Sequence, residues 1–93
     1  MNYVATSGPG AADVMHIASG ALPTFGENDV LIRVEFAGVN RPDVAQRSGT
    51  YAPPPGASPI MGLEVAGIIA AVGSAVTQWK AGDAVCALTP GGG

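Results

Sequence analysis

Asp29 to Gly38 read DVLIRVEFAG. In an extended chain successive side chains point to opposite faces. Val30, Ile32, Val34 and Phe36 then share one face, and Leu31, Arg33, Glu35 and Ala37 share the other. Alternation with both charges on one side predicts a half-buried antiparallel strand. A fold that holds this segment must give it a partner strand and an apolar layer.

The rest of the chain is punctuated too often for long elements. Gly and Pro supply 14 and 8 of the 93 residues, about twice their usual share. Hydrophobic residues make up 47% and no Gly-X-Y period is present, so neither collagen nor disorder fits. Short strands joined by tight turns do. The core is expected to be thin. Sixteen of the apolar residues are Ala, and the larger core-formers are mainly ten Val, five Ile, four Leu and two Phe. A single domain is the natural expectation at this length.

Asn2–Thr6 (NYVAT) reads as a first strand and Val14–Ala18 (VMHIA) as a second, folded as a hairpin about the SGPG turn. Leu22–Asp29 is a loop. After the alternating strand, NRPDVAQRSG changes period. Pro42 suits the first turn of a helix, Asn40 or Arg41 its N-cap, and Gly49 the position just past its end. The result is a helix of about two turns. Asp43 and Arg47, four apart, could pair across one turn. The three prolines of YAPPPGASP impose an extended, irregular path.

Gly62–Gly73 (GLEVAGIIAAVG) is rich in Val and Ile and reads as a strongly bent strand. The small residues Gly62, Ala66, Gly67 and Ala70 would let it turn a corner or admit another backbone. A tight turn at Ala81–Asp83 follows, with the Asp83 side chain bonding nearby backbone N–H groups. DAVCAL is the last strand. Five short strands and one helix predict a mainly β fold, a small partly open β-barrel.

Charge and composition exclude several classes. Net charge is −3, pI is near 4.6 and only four Lys and Arg are present, which makes no nucleic-acid surface. The longest apolar stretch, around Val65 to Val76, is too short and glycine-broken to span a bilayer. MNYVATSGPG lacks the basic and apolar regions of a secretory signal. A single cysteine permits no internal disulfide and points to a reducing, cytoplasmic compartment.

Few residues carry chemistry. GPGAAD (Gly8–Asp13) begins like a dinucleotide fingerprint but lacks the third glycine, and the segment behind it is too short and β-branched for a crossover helix. A hairpin turn is the better reading. His16 reads as a half-exposed strand residue and Cys86 as a small core filler; each is single, without metal-ligand spacing. G-x-S-x-G is absent. Glu64 lies between Leu63 and Val65 at the head of an apolar strand, so it needs an edge or a hydrogen-bond partner. Two roles stay open for it: an ion pair with Arg41 or Arg47, or orientation of a neighbouring site residue. Two also stay open for Asn40 and Tyr51. Asn40 either caps the helix or projects its amide into a cleft. Tyr51 either packs on the barrel or offers a phenol donor to a carbonyl.

From AGVNRPDVAQRSGTYAPPPGASPIMGLEVAG through LTPGGG the ordered motifs are specific. The chain resembles the N-terminal catalytic-domain segment of the medium-chain dehydrogenase/reductase superfamily. It is most similar to the zeta-crystallin-like quinone oxidoreductases and, among them, to the tumour-suppressor-inducible branch. The resemblance covers essentially the whole chain. It implies a GroES-like barrel paired in the intact enzyme with a Rossmann domain. It implies NADPH as hydride donor, and a quinone or activated carbonyl compound as acceptor. Zinc-dependent members carry Cys at the position of Asn40 and His at that of Leu63, where GHE here reads GLE. The resemblance therefore implies a zinc-free branch with no metal site. It gives Asn40 to nicotinamide or substrate positioning, Tyr51 to hydrogen-bond donation, and Asp43, Arg47 and Glu64 to supporting positions.

Family members are several times longer. The expectation is that residues 1–93 are the N-terminal part of the GroES-like domain, without the remaining barrel strands and the nucleotide-binding domain. TPGGG would be a cut or truncated end. Such a piece would be inactive alone, and its open sheet edges would invite homodimerisation. The rival expectation is a stand-alone binding module of the co-chaperonin kind, assembling into rings.

Overall fold

In a computed structural model describing residues 1–93, the chain forms β1 (Asn2–Thr6), β2 (Met15–Ser19), β3 (Val30–Ala37), α1 (Arg41–Ser48), β4 (Glu64–Val72) and β5 (Ala84–Leu88). The expectation of a mainly β chain with one short helix holds. β1 and β2 make an antiparallel hairpin, paired from Asn2 with Ser19 to Thr6 with Met15. Its connection is longer than a tight SGPG turn, because a 3-10 turn spans Ala12–Val14 and takes Val14, the residue expected to begin β2. β3, β4 and β5 form a second antiparallel sheet in that order. The two sheets stay open; they do not close into a barrel.

β4 is the centre of the molecule. Val65 and Ile69, 6% and 2% exposed, are its buried apolar side chains, and buried Gly67 lies between them on the same face. A Cβ on Gly67 would strike the Arg33 carbonyl of β3, so close approach of two backbones requires glycine there. Of the small residues expected to let β4 turn or admit a backbone, Ala70 falls at a register slip: Ile32 faces Ile69 and Leu31 faces Ala71, which leaves Ala70 unpaired. A second slip leaves Glu35 unpaired between Val34, opposite Gly67, and Phe36, opposite Ala66.

That second bulge corrects the alternation. Strict period two puts Val34 and Phe36 on one face. The extra residue splits them: Val34 lies with Gly67 on the inner face, and Phe36 lies with Ala66 on the outer one. Phe36 is accordingly 74% exposed, and only Val30–Ile32 at the start of β3 are half-buried.

Cys86 is a second correction. It is exposed instead of filling the core. It pairs across from Ala66 on the same outer face, while Val85 and Ala87 turn inward. His16, in β2, is also exposed.

The helix docks on its surroundings through polar links. Gln46 Nε2 donates to the Pro59 carbonyl at 2.9 Å. Arg47 Nε donates to the Gly10 carbonyl at 3.1 Å, and the Gly10 N–H donates to the Arg47 carbonyl at 3.0 Å. These bonds fix the hairpin connection against the end of α1. Asp83 does close its turn, accepting from the Lys80 N–H at 3.0 Å. No helix is long and apolar enough to cross a membrane.

Candidate active site

α1 begins where β3 ends, and its first turn carries the polar cluster. Asn40 is the N-cap, in extended backbone conformation, with Pro42 in the first turn. Asn40 and Asp43 form a capping box, in which the Asp43 carboxylate accepts from the Asn40 N–H at 2.8 Å. The far end closes at Gly49, whose φ of 87° is left-handed backbone that glycine adopts without a Cβ penalty.

The Asn40 side chain reaches across the fold. Its Nδ2 donates to Glu64 Oε1 at 3.1 Å, linking the helix N-terminus to the head of β4. The backbones meet there as well, since the Gly38 N–H donates to the Glu64 carbonyl at 3.2 Å. Gly38 makes the link possible. A Cβ at that position would overlap the Glu64 carboxyl group. The sequence offered no sign of this role for Gly38, because its need appears only when β3 and β4 are side by side.

The structure thus brings Asn40, Asp43 and Glu64 together, all half-buried. It corrects two pairings. Glu64 meets the amide of Asn40 rather than Arg41 or Arg47, and the ion pairs of the chain are Arg33–Glu35 and Lys80–Asp83. Asp43 and Arg47 do not pair either. Asp43 turns back to the helix start, where its Oδ1 is buried without a hydrogen-bond partner, while Arg47 turns to the hairpin connection. Tyr51 is half-buried beyond the helix, and none of the bonds among Asn40, Asp43 and Glu64 involves it. Arg47 also stands outside the cluster.

Chemically, the cluster is an oriented amide. Glu64 commits one Nδ2 hydrogen of Asn40 and fixes the plane of the group. The second Nδ2 hydrogen is left for an outside acceptor such as a carbonyl oxygen. No three His, Cys, Asp or Glu side chains come together as metal ligands would.

The comparisons with known proteins agree with this fold. Residues 26–92 match the family model described as the alcohol dehydrogenase GroES-like domain. The quinone oxidoreductase of Lama guanicoe is 42% identical over 86 residues, which are 91% of this chain and 26% of that protein. The crystal structure of Escherichia coli quinone oxidoreductase complexed with NADPH superposes with a TM-score of 0.80 at 32% identity, over 97% of this chain and 28% of that one. A cobalt- and zinc-bound thermostable alcohol dehydrogenase from Pyrobaculum aerophilum superposes with a TM-score of 0.79 at 36% identity, over 92% and 25%. The chain belongs to the alcohol dehydrogenase GroES-like domain family, and its relatives include quinone oxidoreductases of the medium-chain dehydrogenase/reductase superfamily. It spans about a quarter of the length of the curated relatives it matches.

Proposed function

We propose that the chain is the N-terminal part of the GroES-like catalytic domain of a zinc-free, NADPH-dependent quinone oxidoreductase. The observation that carries this is the Asn40 amide, held by Glu64 at the mouth of α1 with one N–H uncommitted. The similarity to quinone oxidoreductases supports the substrate class.

Zinc does not fit: Asn40 and Leu63 occupy the two ligand positions, and no cluster of metal donors replaces them. No step is therefore assigned to a metal. For NADPH the fit is one-sided. The uncommitted Asn40 N–H suits a carbonyl oxygen of the nicotinamide amide or of the substrate. The phosphate end finds no cradle here, since GPGAAD is the hairpin connection and Arg47 is spent on Gly10. Phosphate binding is assigned to residues beyond this segment. The nicotinamide, when bound, supplies a hydride; this chain orients the acceptor. Asn40 positions the carbonyl, Tyr51 donates to the oxygen on which charge builds, and Asp43 and Glu64 hold Asn40 in place. Arg47 supports the helix from its other end. A cytoplasmic location and a homodimer belong to the same proposal.

The test is steady-state kinetics of the longer natural polypeptide carrying this segment, with NADPH oxidation by a benzoquinone compared with NADP+ reduction by a primary alcohol. Quinone reduction is expected, and Tyr51→Phe should lower kcat by about 10²-fold, as loss of one donor to a developing oxyanion does. Alcohol oxidation without quinone reduction would overturn the substrate class, and an unchanged Tyr51→Phe enzyme would remove Tyr51 from the site.

A further inference from the structure

Asn40 is held between two carboxylates. Its backbone N–H donates to Asp43 Oδ2 at 2.8 Å, and its side-chain Nδ2 donates to Glu64 Oε1 at 3.1 Å. Both bonds are part-buried, one in the cap of α1 and one at the head of β4. No cation of this segment joins them. Arg33 pairs with Glu35 and Lys80 with Asp83, and Arg47 is tied to Gly10 at the other end of the helix. Arg41 is exposed and pairs with neither carboxylate.

The two charges differ in what offsets them. Asp43 sits in the first turn of α1, where the helix dipole contributes about half a positive unit charge. Glu64 is on β4, and strands carry little net dipole. The uncompensated charge behind the Asn40 amide is therefore chiefly that of Glu64. It bears on which acceptor the uncommitted N–H serves. A quinone oxygen gains negative charge as it is reduced, and a carboxylate behind its donor opposes that gain. At the nicotinamide the sign is reversed. Hydride departure carries two electrons and a proton to the quinone and leaves one positive charge on the ring. The quinone gains that hydride and one proton from the Tyr51 hydroxyl, which takes a proton back from water. Tyr51, the donor to the charged oxygen, bonds to neither carboxylate.

We infer that Glu64 acts by charge as well as by position. Through Asn40 it favours the oxidised, cationic nicotinamide over the reduced, neutral one. The Asn40 N–H then belongs to the nicotinamide amide, and the quinone oxygen is left to Tyr51. This rests on the proposed nicotinamide site. A unit charge acting through two successive hydrogen bonds, at the effective dielectric of a half-buried pair, corresponds to about 10-fold in the ratio of the two affinities. That is about 30 mV in the potential of the bound two-electron couple.

Isothermal titration of the longer natural polypeptide with NADP+ and, separately, with NADPH tests it without quinone. Glu64→Gln keeps an oxygen that can accept from Asn40 and removes the charge. It should weaken NADP+ binding about 10-fold and leave NADPH binding almost unchanged. Asp43→Asn, whose charge the helix offsets, should move the ratio in the same direction by less. Glu64→Ala removes charge and hydrogen bond together and should weaken both forms. Glu27→Gln removes the same charge from an exposed side chain in the β2–β3 loop and should leave the wild-type ratio. An unchanged ratio in Glu64→Gln would overturn the inference, whether position alone matters or a cation from elsewhere in the polypeptide cancels the charge. Equal weakening of both forms by Glu64→Gln would also overturn it and reduce Glu64 to a positioning contact. A wild type that binds neither nucleotide would strike the proposed site itself, and the inference with it.

Discussion

Gly38 and Gly67 both lack room for a methyl group, for different reasons. At Gly38 the obstacle is the Glu64 carboxyl, the end of a flexible side chain. Gly38→Ala should push it aside and break the Asn40–Glu64 bond. The expected cost is about 1.5 kcal/mol, the low end for a hydrogen bond to a charged group, because both partners are only half-buried. The Asn40 side-chain amide resonances should shift in an ¹H–¹⁵N spectrum; if they stay, the link does not depend on Gly38. At Gly67 the obstacle is the Arg33 backbone, which cannot step aside without moving β3. Gly67→Ala should fall at the upper end of the about 1–3 kcal/mol typical of overpacking. Urea unfolding checks it: the midpoint should drop much further than for Gly38→Ala, and the reverse order would mean that β3 yields easily. Asp43→Ala should cost about 1 kcal/mol through loss of the cap, read as faster hydrogen exchange confined to the first turn of α1.

The elements themselves were largely legible. Period-two alternation located β3, and Pro42 with Gly49 bracketed α1 because both ends obey local backbone chemistry. Faces were less legible than elements. One unpaired residue, Glu35, reverses the side on which Phe36 lies, and no local signal in RVEFA announces it. Cys86 was misplaced for a related reason. A small apolar residue in an apolar strand suits either face, and β5 has a covered face and an open one. The same limit applied to the polar cluster. Asn40 stood out by position, but its partner lies 24 residues away. Of the arginines proposed for Glu64, Arg47 was already engaged by Gly10. Side-chain pairing across a sheet depends on register, which alternation alone does not set.

The whole molecule is loosely covered. Its radius of gyration is 14.0 Å, against about 12 Å for a compact domain of this length. Val65 and Ile69 are the only buried apolar side chains. Such a chain should bind hydrophobic dyes and unfold with low cooperativity, and a sharp, dye-silent thermal transition would contradict that. It should also show no quinone-dependent NADPH oxidation alone, because residues 1–93 hold one side of the proposed site and no phosphate cradle. The ring-forming alternative is tested by mass: a discrete ring of many copies would favour a co-chaperonin-like module over the N-terminal part of an oxidoreductase domain.

The most direct measurement is the rate of quinone-dependent NADPH oxidation by the longer natural polypeptide, before and after prolonged treatment with a strong zinc chelator, in wild type and Asn40→Ala. Chelation is expected to leave the wild-type rate unchanged, and Asn40→Ala is expected to lower kcat by about 10²-fold. Activity that vanishes with the chelator, or that survives intact in Asn40→Ala, would contradict a metal-independent site built on the amide that Glu64 holds.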